Sequence, residues 1–131
     1  MTNDVDWVKA LSECTSEAAI MRLWAGVESD VASRNALRQD GDRYKFTVSE
    51  TAGGFAVVYD SGQERDTLRF TVKDLEYVTI QSGGQDDGYA VVTRLVVDDS
   101  GAVVFALGDR RLPDWQLRRH VLRNFLFRDR R

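Results

Sequence analysis

The sequence predicts an α+β domain with helices at both ends and an antiparallel meander between them. Three observations carry this. Between residues 44 and 107, six strand-like runs follow one another, each closed by a turn signal, with no helical period among them. The segments on either side repeat apolar residues at helical spacing. The chain has 131 residues, 43% of them hydrophobic and 30% charged, which suits one domain with one real core and excludes a disordered chain. The expected architecture is two N-terminal helices, a six-stranded meander bent into a curved sheet or partial barrel, and one C-terminal amphipathic helix packed on it. The helices should cover about 4–38, the strands about 43–108 and the last helix about 113–127, all within one domain spanning 1–131.

The first helix is read from Asn3 or Asp4 as cap, with Val5, Val8 and Leu11 on one side and Trp7, Leu11 and Cys14 on an adjoining one. Thr15 or Ser16 can cap a second, whose stripe is Ile20, Leu23, Trp24, Val27 and Val31. Asp30 and Arg34 are placed on the side away from that stripe. Gly41 is a natural left-handed stop. Strands then follow at 43–49, 55–59, 67–73, 75–81, 89–97 and 102–107. The first and third alternate apolar with polar residues. The second and fifth are apolar on both faces, so both faces need cover. Asp60-Ser61-Gly62, 82–88 and Asp98-Asp99-Ser100-Gly101 are the clearest turns. Residues 108–112 lead to Pro113, a favoured first helical residue. In the last helix Trp115, Leu122 and Leu126 form one apolar row and Leu117, Val121 and Phe125 the next. Arg118 falls inside that arc, so it should snorkel or meet a carboxylate.

Composition narrows the functional classes. No run of residues is long and apolar enough to span a bilayer as a helix. Met1-Thr2-Asn3-Asp4 does not begin a secretory signal, and a single cysteine, Cys14, makes no internal disulfide. A reducing, cytoplasmic setting is therefore expected. The charge is polar along the chain: residues 109–131 sum to +5 and the rest to −8.

No catalytic constellation stands out. His120 is the only histidine and has no nucleophile motif beside it in sequence. One Cys and one His cannot supply a structural zinc site. The acidic pairs Asp40/Asp42, Asp86/Asp87 and Asp98/Asp99 sit beside glycines in turns, where Asp serves the backbone. Gly53-Gly54 and Gly83-Gly84 lack the spacing of a phosphate loop. No enzyme activity, cofactor or metal is therefore expected.

The first functional expectation is a small protein-binding protein of the inhibitor, immunity, adaptor or chaperone type. It would act through aromatic-bearing helices and an acidic body: Asp60, Glu64, Asp66, Asp86, Asp87, Asp98 and Asp99. Its partner would be another protein, or a second copy of the chain. Trp7, Trp24 and Trp115 should pack helices on the sheet, and any one left exposed becomes an interface anchor. The second expectation is a small-ligand carrier or sensor, by similarity of architecture to helix-grip and other ligand-cavity folds, with a cavity lined by Phe55, Tyr59, Tyr77, Tyr89 and Phe105. The third is an Arg-rich C-terminal surface of Arg110, Arg111, Arg119, Arg123, Arg128, Arg130 and Arg131, which would hold an acidic partner or, less readily, nucleic acid.

Overall fold

The computed structural model describes residues 4–38, 45–83 and 90–127, with side chains from Ser16 onward. One helix, α1 (Asp4–Ala36), stands where two were expected. Thr15 and Ser16 favour caps because their side chains compete for the backbone, but inside a helix each costs only a few tenths of a kcal/mol. Residues 1–25 contain no Gly or Pro to enforce a break, so the helix runs on for 33 residues, a length of about 50 Å.

The strands are β1 (Lys45–Thr51), β2 (Gly54–Asp60), β3 (Arg65–Lys73), β4 (Tyr77–Ser82), β5 (Ala90–Val97), β6 (Val103–Leu107) and β7 (Arg110–Leu112). They form one antiparallel sheet in chain order, with β1 and β7 as its edges. The expected count of six is thus corrected to seven. The extra strand is three residues long, and Arg110-Arg111 reads as loop. Gly108, at φ +59°, supplies the left-handed position of a two-residue hairpin turn, and Leu107 then pairs with Arg110. The last described element is α2 (Asp114–Phe127).

The seventh strand decides how the helices meet. An odd number of antiparallel strands leaves β7 running in the same direction as β1. The helices that reverse into β1 and out of β7 therefore run parallel to each other. The contacts agree: Arg118 reaches Gly26 and Arg34 reaches Leu126, both 92 residues apart. With six strands the helices would have been antiparallel, and these pairs would lie at opposite ends.

Both helices cover one face of the sheet. Leu23, Val27 and Val31 of α1 and Leu117, Val121 and Phe125 of α2 pack on Phe46, Phe55, Phe70, Val78, Ile80 and Phe105, all buried. Trp24, Phe55 and Phe70 stack in sequence, with centroids 4.9 and 4.6 Å apart. A Cβ on Gly54 would collide with the Phe70 carbonyl, so the β1–β2 turn admits only glycine there. Thr93, the one buried polar side chain among the described residues, donates to the Val78 carbonyl at 3.0 Å. On the opposite face Ala56, Val58 and Val104 are buried, whereas Val92 is exposed.

The edge strand β1 is closed by a side chain. Asn35 donates its amide to the Phe46 carbonyl at 2.7 Å and accepts from the Phe46 N–H at 3.2 Å. One amide side chain thus stands in for a neighbouring strand and ties the end of α1 to the sheet.

Candidate binding site between the terminal helices

The junction of α1 and α2 is held by two arginines exchanged between the helices. Arg118 of α2 reaches α1, its Nη1 donating to the Gly26 carbonyl at 3.1 Å and to Asp30 Oδ2 at 2.8 Å. Asp114 lies 3.8 Å from its Nε. The arginine inside the apolar arc therefore meets a carboxylate. A Cβ at Gly26 would come within 2.5–2.8 Å of the guanidinium and Cδ, so the glycine is what lets Arg118 approach. In return, Arg34 of α1 donates from Nε to the Leu126 carbonyl at 2.8 Å. That carbonyl belongs to the last turn of α2, where no intrahelical donor remains, and α2 has no basic residue of its own in that turn. The Arg34 guanidinium also sits over the rings of Phe46 and Phe127, at 5.6 and 5.1 Å from their centroids. Asp30 and Arg34 therefore face α2, not the opposite side as their spacing from the apolar stripe suggests.

Along the outer edge of this junction runs a trough of about 700 Å³. Leu122 and Leu126 form its floor, and Leu37, Trp115 and Phe127 its apolar walls. Those three are 64%, 51% and 61% exposed, unusual for such large side chains on adjoining elements. Arg34, Arg118, Arg119 and Arg123 bring positive charge to the lining, against one carboxylate, Asp30, which is already engaged. Trp115, Arg119, Arg123 and Phe127 are spaced four apart and make a single exposed row on α2. Beyond that row lies a second, polar cleft of about 340 Å³, lined by Arg110, Trp115, Gln116, Arg119, His120 and Arg123.

The Arg-rich surface read from the sequence divides accordingly. Arg119 and Arg123 come together on α2, and Arg110 joins them because it shares the helix side of the sheet with Leu112. Arg111, its neighbour in sequence, alternates to the other face. Arg128, Arg130 and Arg131 lie outside the described residues. The acidic set is not assembled into one surface. Asp60, Glu64 and Asp66 lie at the β2–β3 end of the sheet, at the end of β2, in the turn and at the start of β3, and Asp98 and Asp99 lie in the β5–β6 turn at the opposite end of the strands. Asp60 accepts from the Gly62 N–H and Asp66 from the Thr67 N–H, as turn residues do. Asp98 accepts from the Ser100 hydroxyl at 2.6 Å and from the N–H groups of Ser100 and Ala102. These bonds hold its carboxyl below the ordinary value, the Ser100 hydroxyl contributing most, with the more distant Arg111 charge adding to them. Asp86 and Asp87 lie outside the described residues.

Of the residues expected to line a ligand cavity, Phe55, Tyr59 and Phe105 are buried in the helix-covered core. Phe55 fills its place between two other rings. Tyr77 is half-buried on the sheet face away from the helices. Tyr89 lies outside the described residues, as do the side chains of Trp7 and Cys14. His120 is exposed at the polar cleft. Among the described residues no group of three His, Cys, Asp or Glu side chains is placed to hold a metal ion, and no helix is long and apolar enough to cross a membrane.

Sequence reasoning missed Leu37, Ser33 and Asp30 as parts of the trough, and it assigned Trp115 to packing. The four-residue spacing from Trp115 to Phe127 was the available signal. No protein-family model, curated protein or solved structure matches the chain.

Proposed function

We propose that this chain is a non-enzymatic binding protein, of the adaptor, inhibitor, immunity or chaperone kind. Its α1–α2 trough would receive a segment of a partner protein that joins carboxylates to large apolar side chains. The observation that carries the proposal is the exposed row Trp115–Arg119–Arg123–Phe127 facing Leu37 across an apolar floor. Trp, Phe and Arg are enriched at protein interfaces, and Trp and Arg are among the residues that carry most of their binding energy. A groove between two helices with apolar depth and charged lips suits an amphipathic helix laid along it. The cationic lining calls for carboxylates on that helix. It also disfavours a basic partner, because an unpaired guanidinium left facing a like charge costs affinity.

A long polyanion fits less well. The whole chain carries a net charge of −3, Arg111 points to the other face of the sheet, and carboxylates crowd both ends of the strands. An extended nucleic-acid footprint would meet repulsion outside the trough.

The test is a titration of the isotopically labelled protein with a synthetic peptide repeating Glu-Glu-Leu-Leu, alongside its Lys-for-Glu counterpart. The acidic peptide should shift the Trp115 indole resonance saturably and the basic one should not. Equal responses to both, or none to the acidic peptide at millimolar concentration, would count against the proposal.

A further inference from the structure

The polar cleft beside the trough has a chemistry of its own. Arg119 and Arg123 come from α2 and Arg110 from β7, so their convergence is not the flank of one helix. Among the described residues none of the three has an ion-pair or hydrogen-bond partner, whereas Arg118 and Arg34 on the same helix pair are both engaged. His120 and Gln116 add further hydrogen-bonding capacity, and Trp115 provides a flat apolar wall shared with the trough.

Three guanidiniums lining one cleft repel one another, and a ligand carrying more than one negative charge relieves this. A carboxylate offers two oxygens and unit charge. A phosphomonoester offers three acceptor oxygens and about −1.5 to −2 charges near neutral pH. Arginine forks bind such oxygens bidentately, which lysines at these positions could not do. We infer that the cleft of Arg110, Arg119 and Arg123 is a subsite for a phosphoryl group carried on a side chain of the bound segment. This rests on the reading of the trough as a peptide groove. The bound segment would place its apolar side chains in the trough and pass its phosphorylated residue over the Trp115 row into the cleft.

Phenyl phosphate is a probe that needs no knowledge of the partner, since it joins an aromatic ring to the dianion. Titrated into the labelled protein, it should shift the Trp115 indole saturably and bind at least about tenfold tighter than benzoate, a difference of about 1.4 kcal/mol. Arg110→Gln should remove that advantage. Benzoate binding as well as phenyl phosphate, or phenyl phosphate producing no saturable shift, would overturn the subsite. A short single-stranded oligonucleotide binding far tighter than phenyl phosphate would also overturn it, by assigning the cleft to nucleic acid. Saturable phenyl phosphate binding in a protein that ignores the Glu-Glu-Leu-Leu peptide would retain the anion subsite and remove the trough reading, so the two failures are distinguishable.

Discussion

Arg118 and Asp30 meet at 2.8 Å across the parallel pair α1 and α2, on the one stretch of α1 where a glycine, Gly26, leaves room for the guanidinium. Both residues also line the trough. The contact is half-exposed at the carboxylate end, so it is worth less than a fully buried pair.

The Gly26–Arg118 relationship predicts a coupling. In an isolated helix Gly→Ala stabilises by about 1 kcal/mol. Here Gly26→Ala should fail to stabilise, because the new methyl displaces Arg118 from Asp30 and from the Gly26 carbonyl. In an Arg118→Met background the same substitution should recover its gain of about 1 kcal/mol. Urea denaturation of the four proteins reads the cycle. Equal effects of Gly26→Ala in both backgrounds would show that the arginine does not depend on the glycine.

How much of this was legible in the sequence follows from the range of each interaction. The apolar stripe of α1, the alternation in β1 and β3, and the α2 boundaries depend on local period, and the sequence displays them. That Arg118 would need a carboxylate was legible from its place in the apolar arc. Which carboxylate was not, because Asp30 reaches it only through the parity of the strands between. That parity turned on three residues, Arg110–Leu112, whose charges mask a strand in which Leu112 alone is buried. The continuity of α1 past Thr15-Ser16 is hidden for a different reason: both residues prefer caps, but no helix breaker beside them enforces one.

Asn35 makes a second prediction. Asn35→Ala removes both hydrogen bonds to Phe46 and leaves its backbone groups on a partly buried strand edge. The expected cost is about 1–3 kcal/mol, accompanied by faster hydrogen exchange at the Phe46 amide. Unchanged exchange there would show that β1 does not rely on this clamp.

The β3–β4 hairpin carries a local strain. Asp74 and Leu75 adopt φ values of 57° and 53°, and Leu75 is exposed. The Glu76 N–H closes this turn on the Lys73 carbonyl at 3.1 Å. A left-handed conformation costs a non-glycine residue about 1 kcal/mol. Leu75→Gly should therefore raise stability by about that amount, read as a higher denaturation midpoint. A loss of stability would mean that the leucine side chain contributes packing that outweighs its strain.

Asp98 gives the pH prediction. Its carboxyl is held below the ordinary value of 3.8 by the Ser100 hydroxyl first, then by turn amides and the Arg111 charge. The ionised form is the one that the fold favours. Its contribution is thus fully present above that ordinary value, and it is lost as pH falls through the lowered one. Asp98→Ala should be destabilised relative to the parent by a constant margin at pH 5–7, and the margin should narrow in strong acid. A margin that widened on acidification would reverse the assigned sign.

The most direct test of the binding account is selection of a random peptide display library on the parent protein and, in parallel, on the Trp115→Ala/Arg119→Gln/Arg123→Gln variant, with its fold checked by circular dichroism. The parent should enrich peptides combining Asp or Glu with Leu, Phe or Trp at helical spacing, and the variant should not. Enrichment of the same sequences on both proteins, or of basic sequences on the parent, would contradict the binding account.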